Sequence, residues 1–281
     1  MPLSGVLFRV SPPTPATGDP AAAGVPPAPS FLFGTIHFGS EAELGLDAAS
    51  LATALASADT LVGEIDVDTV AGPALDHYRW LPPGQPLSTL VDADAWSMAR
   101  HLLPDIAPET LERMKPWMVL ALVEARGESL GEDTLDVRLQ RMARARGMPL
   151  VQLETLEDQL RALDCVPPDA QALVLQERLK TPWVLREMSQ RALAHYRGRD
   201  LGAWLDDVDR MPGLGDAARA IEQQARRCLV EDRNARWMPA LLSLLSAGGR
   251  YVAVGAIHLP GEQGLLAALA RAGYRIEAEP L

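Results

Sequence analysis

Phe31-Leu-Phe-Gly-Thr-Ile-His37 is a short apolar run that ends in Gly-x-x-His and passes into a polar turn. A counterpart lies near the other end of the chain, Tyr251-Val-Ala-Val-Gly-Ala-Ile-His258. Both runs have the β-branched and aromatic character of core strands, and an amphipathic helix follows each. With 22 glycines and 5 histidines in 281 residues, composition alone gives about 0.4 Gly-x-x-His matches. The chain has two, in the same strand-to-helix setting, and they bracket nearly its whole length.

Between them the pattern alternates. Val6–Val10 reads as a first strand, and a Pro/Ala-rich loop over 11–30, with seven prolines, can neither pair in a sheet nor pack as a helix. Asp47 is placed to cap a helix through Ala58, and Thr60–Asp66 is a second core strand. Residues from about 70 to 147 are helical; one apolar stripe there runs from Leu111 to Val123, and Pro116 must begin, kink or interrupt it. The helix Leu135–Ala145 stops at Gly147, Met148–Glu154 is a third strand, and Thr155 caps Leu156–Leu163. Residues 168–247 are helical again, with breaks near Pro182, Gly198, Pro212 and Pro239. Strand Tyr251–Gly255, helix Glu262–Ala272 and strand Tyr274–Glu277 complete the chain. The expected fold is α/β: a central mixed sheet built from the N- and C-terminal strand-Gly-x-x-His-helix units, with a long, mostly helical middle insertion, in a single domain over 1–281.

A net charge of -11 argues against nucleic acid and anionic membrane surfaces as partners, since both select a basic footprint. No stretch approaches the ~18 apolar residues of a membrane span. The N-terminus lacks a basic segment followed by an apolar core, so a cytoplasmic location is expected, or a periplasmic one for a chain whose leader has been removed. Cys165 and Cys228 are too few for a disulfide framework and read as buried thiols, with a single bridge between them as the alternative.

Ligands of open α/β sheets bind at the carboxyl ends of the strands. His37, Glu64, Glu154 and His258 are the candidate groups there. Either histidine alone reads as a loop anchor, and Glu64 alone as an ordinary strand-end acid. Together, two imidazoles and a carboxylate are the ligand set of open zinc, iron or manganese sites. Glycine three residues before each histidine lets the backbone turn sharply or approach a neighbour without a Cβ clash. Glu154 equally suits the acidic first turn of a helix, and Asp66 and Asp68 read as solvated loop charges. Arg233-Asn234 reads by default as solvated surface, although an arginine could clamp a substrate carboxylate or phosphate. His77, His101 and His195 lie in charged helical surroundings and read as surface or packing residues. No P-loop, dinucleotide or Gly-x-Ser-x-Gly fingerprint is present.

With these residues in view, the chain resembles the TraB/PrgY/GumN family, which includes the Tiki metalloproteases. The resemblance runs from about Leu7 to Ile276. It is carried by Leu32-Phe-Gly-Thr-Ile-His37, Glu64, Lys115-Pro-Trp117, Leu153-Glu-Thr155 with Gln159, Arg233-Asn234, and Val252-Ala-Val-Gly-Ala-Ile-His-Leu-Pro-Gly261 with Gly264-Leu-Leu and Gly273-Tyr274. It implies a divalent-metal site at His37, His258 and Glu64, with Arg233 and Asn234 as neighbours; Glu154, Arg233 and Asn234 are the candidate supporting or substrate-contacting groups. It also implies metal-dependent proteolysis for the Tiki members. The loop at 11–30 is longer than the family's usual link and could flank or cover the site.

The expected function is therefore a metal-dependent hydrolase, a peptidase before an esterase. His37 and His258 would ligate Mn²⁺, Co²⁺ or Zn²⁺, while Glu64 completes the shell or acts as general base. The rival from another class is a protein that binds and sequesters a peptide or small ligand in the same crevice without turnover. Convergence of the two imidazoles, from opposite ends of the chain, is the geometric demand that this reading makes.

Overall fold

Apolar runs too short for buried helices pair into one six-stranded sheet in a computed structural model, which describes residues 4–13, 28–125 and 134–281. The strands are β1 (Leu7–Ser11), β2 (Ser30–Thr35), β3 (Thr60–Gly63), β4 (Leu150–Gln152), β5 (Arg250–Gly255) and β6 (Arg275–Glu279). Their order is β4-β3-β5-β2-β1-β6. The four strands from β4 to β2 run parallel, and β1 runs antiparallel to both β2 and β6. The sheet is mixed and the fold is α/β, as the alternating pattern required. Residues 14–27, most of the Pro/Ala-rich loop expected to flank the site, lie outside the described residues.

Parallel pairing is what joins the two motifs. In the register of β2 against β5, Gly34 lies opposite Val254 and Thr35 opposite Gly255. Parallel neighbours leave the sheet at the same edge, so both Gly-x-x-His segments emerge side by side at its carboxyl end. β3, which precedes Glu64, is the other neighbour of β5, and β4, which precedes Glu154, lies beyond it. Every residue of β2 and β3 is buried, as befits strands covered on both faces. Phe8, Phe33, Leu55, Val62, Val252 and Leu269 belong to this sheet-centred core. The helical middle has a core of its own around Leu87, Leu111, Val119 and Leu175.

Local signals place the helices that border the site. Asp47 accepts from the Ser50 amide and caps Ala48–Ala56. Thr134 caps Leu135–Ala145, and Thr155 with Asp158 forms a reciprocal capping box on Leu156–Leu163. Pro116 opens the helix Pro116–Ala125, as a residue without an amide proton can at a first turn. Among the described residues no helix is long and apolar enough to cross a membrane.

Two expectations fail. Pro239 does not break its helix: Asp232–Ala247 runs straight through it. An internal proline costs about 3 kcal/mol, but Trp237, Leu241 and Leu245 are all buried on this helix, each worth about 1.5–3 kcal/mol. Burial of the stripe wins. Cys165 and Cys228 are not free thiols but a disulfide between residues 63 apart in sequence. It ties the segment after Leu156–Leu163 to a π-helical turn, Arg227–Glu231. Closing a loop of that length stabilises by about 4 kcal/mol through the unfolded chain.

Candidate active site at the carboxyl edge of the sheet

The two motif glycines are space makers. Neither has a positive φ. A Cβ on Gly34 would stand 2.9 Å from the Ala256 Cα, so β2 and the turn after β5 could not approach as they do. A Cβ on Gly255 would stand 3.4 Å from Glu64 Oε1. The bare Gly255 amide instead donates to that oxygen at 2.7 Å. Of the two uses of glycine foreseen, close approach is the one realised.

His258 follows in a short 3₁₀ turn, Ala256–His258, and is 3% exposed. Its protonation can be read from its neighbours. Asn234 Nδ2 donates to the carbonyls of His258 and Gln263, which turns Asn234 Oδ1 toward the ring. His258 Nδ1–H donates to that oxygen at 2.7 Å. The lone pair is therefore on Nε2, which lies 3.2 Å from Arg233 Nη1 and 3.9 Å from Glu64 Oε1. Burial, with Arg233 beside it, lowers the imidazole to about 4 against the opposing pull of Glu64. The ring is neutral near pH 7, the form that accepts a hydrogen bond or binds a metal.

Arg233 sits at the centre. Its guanidinium donates to Glu64 Oε2 and Glu154 Oε1 through Nη2, to both Glu154 oxygens through Nε, and to the Leu229 carbonyl through Nη1. It also lies over the Trp237 ring, 4.6 Å from its centroid. Trp237 in turn donates to Glu154 and packs against His258. For Glu64, burial opposes ionisation, but His258, Arg233 and the Gly255 amide outweigh it and hold the carboxyl at about 2. The solvated-surface reading of Arg233-Asn234 is thus corrected: both are buried. The π turn Arg227–Glu231 immediately before them shifts the helical register, and the Asp232–Ala247 helix carries Arg233, Asn234 and Trp237 buried.

His37 behaves differently. Its side chain is 68% exposed, with Nε2 3.5 Å from Asp136 Oδ2. Asp136, in the first turn of Leu135–Ala145, also accepts from Thr35 Oγ1 at 2.9 Å. Burial raises its carboxyl pKa, reinforced by Glu64 and opposed by His37. His37, Glu64, Arg233, His258, Trp117 and Gln159 all line one cavity of about 560 Å³. The two histidines thus reach the same cavity, but among the described residues no three His, Cys, Asp or Glu side chains close on one point as a metal would need. The Arg233 guanidinium stands between Glu64 and His258. The Glu154 side chain reaches the cluster through Arg233 and Trp237.

Sequence reasoning missed Asp136 and Trp237. A helix-first-turn acid is too common to mark Asp136, and Trp237 fitted the core stripe to which it also belongs. Outside the cluster, His195 pairs with Asp207, and Asp66 and Asp68 pair with Arg144.

The buried pair sets a pH dependence for the metal-free chain. His258 titrates near 4 when folded and near 6.5 ordinarily, so the unfolded chain binds that proton first. The His258 contribution is full above about pH 6.5 and falls as pH drops toward about 4, by about 3 kcal/mol. The contribution of Glu64 is present above its ordinary 4.5 and is lost only as pH falls through about 2. Urea unfolding between about pH 8 and pH 4 measures the first stage. The same profile in His258→Gln would contradict a buried neutral His258.

The model of the TraB/PrgY/gumN family matches residues 24–278. Among curated proteins, the chain is 27% identical over 245 residues to "Uncharacterized protein YbaP" of Escherichia coli (strain K12), covering 83% of this chain and 85% of that one. It is 26% identical over 303 residues to "Metalloprotease TIKI2" of Danio rerio and 25% identical over 307 residues to "Metalloprotease TIKI1" of Homo sapiens. Those alignments cover 90% of this chain but 58% and 60% of the TIKI proteins. No solved structure matches significantly. With the match of the family model over most of its length, the chain belongs to the TraB/PrgY/gumN family.

Proposed function

We propose that the chain is a metal-dependent hydrolase that cleaves peptides, with His37, His258 and Glu64 as the residues that would hold a divalent ion. The observation that carries this is the His258 Nε2 lone pair, oriented by Asn234 and set beside the ionised Glu64 on the cavity shared with His37. Charge supports it too. Glu64, Glu154 and Asp136 set three carboxyl groups against one guanidinium, and among the described residues a buried Asp136 oxygen has no hydrogen-bond partner. Nitrogen and oxygen donors without thiolate suit Mn²⁺, Co²⁺ or Zn²⁺. The relatives named as metalloproteases point the same way.

A divalent ion there would polarise a scissile carbonyl and acidify water near neutral pH. Glu64, held at about 2, is a weak proton acceptor, so its charge suits holding the ion better than acting as general base. Asn234 keeps His258 in the tautomer that can bind it. Arg233 would give up its contact with His258 Nε2 while keeping Glu154. Trp117, Leu120 and Val174 supply apolar wall for side chains of an extended substrate.

A second reading is a protein that sequesters a peptide or small ligand without turnover. It is favoured by Arg233, which already satisfies Glu64 and His258 as a cation would. Elemental analysis of chelator-free protein and a fluorogenic peptide library with added Mn²⁺ separate the two. The hydrolase binds about one metal equivalent and cleaves peptides, and Glu64→Gln lowers both by about 10²-fold or more. Metal-free wild-type protein that binds peptides and cleaves none would establish the second reading.

A further inference from the structure

We infer that Asp136 is a positioning residue of this site: its carboxylate holds the His37 ring through Nε2 and leaves Nδ1 to face the cavity. The assignment of a task to His37 rests on the reading proposed above, whereas the contact itself does not. His37 projects from a strand end with its side chain largely in solvent, and an exposed imidazole with no partner swings among rotamers. A ligand or proton carrier has to be held.

The local geometry supplies the hold. Thr35, two residues before His37 and itself buried, donates its hydroxyl to Asp136 Oδ1 at 2.9 Å. That bond fixes the plane of the carboxyl group and turns Oδ2 toward His37 Nε2, 3.5 Å away. Oδ2 is buried, and among the described residues it has no hydrogen-bond donor. A carboxylate oxygen taken from water without a donor is destabilising, so an ordinary surface ion pair is a poor description of it. The atom placed to relieve it is the His37 Nε2–H.

A consequence concerns the ring atoms. Histidines that bind metals donate their other ring nitrogen to a carboxylate or carbonyl. His258 donates Nδ1–H to Asn234 and offers Nε2. His37, held at Nε2 by Asp136, offers Nδ1. The two motifs, alike in sequence, present opposite ring nitrogens to the cavity.

The test uses the full chain with ¹³C,¹⁵N-labelled histidine, first without metal. Ring-carbon relaxation reports a His37 ring ordered like a buried side chain in the wild type. Asp136→Ala and Thr35→Val loosen it, Asp136→Asn gives an intermediate, and the His258 signals stay unchanged as a control for folding. A His37 ring equally mobile in wild type and Asp136→Ala overturns the inference. The second arm is Mn²⁺ binding by equilibrium dialysis. Asp136→Ala weakens it roughly 10–100-fold, and His37→Ala/Asp136→Ala binds no more weakly than His37→Ala. Independent, additive losses would overturn positioning and make Asp136 a ligand in its own right. A wild type that takes up no Mn²⁺ removes the hydrolase reading, and ring order then decides Asp136 alone.

Discussion

Arg233→Met is expected to lower unfolding stability by about 3–5 kcal/mol, the cost of breaking a buried ion pair from one side. Arg233 is 5% exposed, and its guanidinium joins Glu64 and Glu154, which come from the ends of β3 and β4, to a helix 79 and more residues away in sequence. Without it, two carboxylates remain in a site with one remaining charge-neutral neighbour, His258. Methionine fills the volume and keeps the packing on Trp237, so the loss reports charge and hydrogen bonding rather than a cavity. Urea denaturation at neutral pH measures it. Two further variants identify the cause. Arg233→Lys keeps the charge but not the fork and falls between wild type and Met. Arg233→Met/Glu154→Gln recovers part of the loss, because one orphaned carboxylate is gone. A cost below about 1 kcal/mol for Arg233→Met would place the residue with solvated surface charges and undo the electrostatic account of Glu64 and His258 given above.

How much of this site is legible in sequence depends on the distance over which each residue is positioned. His37, Glu64 and His258 are placed by the strand directly before them, so a periodic apolar run and a glycine suffice to find them. The caps at Asp47 and Thr155 are local for the same reason, and the structure keeps both. Arg233 and Asn234 are different. Their stretch, Glu231-Asp-Arg-Asn-Ala-Arg-Trp, is polar enough to look solvated, and what buries it is a π turn before it plus acids supplied by two distant strands. No helical period contains that information. The Cys165–Cys228 bridge joins segments brought together by the packing of the helical middle, which spacing alone does not encode. Asp136 becomes visible only once Thr35 and His37 are seen to face it.

His37→Ala separates function from fold more cleanly than any other change in the site. His258 is buried and bonded to Asn234, so its removal confounds chemistry with a packing defect. Glu64 anchors Gly255 and Arg233 and carries the same difficulty. His37 is mostly in solvent, and its loss removes one long contact to Asp136. Stability is therefore expected to change by no more than about 0.5 kcal/mol. If the proposed site is correct, loss of this ligand lowers turnover of a cleaved peptide by at least about 10²-fold. His77→Ala, at an exposed histidine outside both motifs, should leave both quantities unchanged. The contrast with Gly34→Ala is instructive, because the two residues share one motif. The alanine Cβ would meet the Ala256 backbone at 2.9 Å, so this change should act on stability first. Wild-type turnover in His37→Ala, beside a destabilised Gly34→Ala, would mean that the repeated Gly-x-x-His serves the close approach of two strands, and that its histidine on the β2 side is incidental to chemistry.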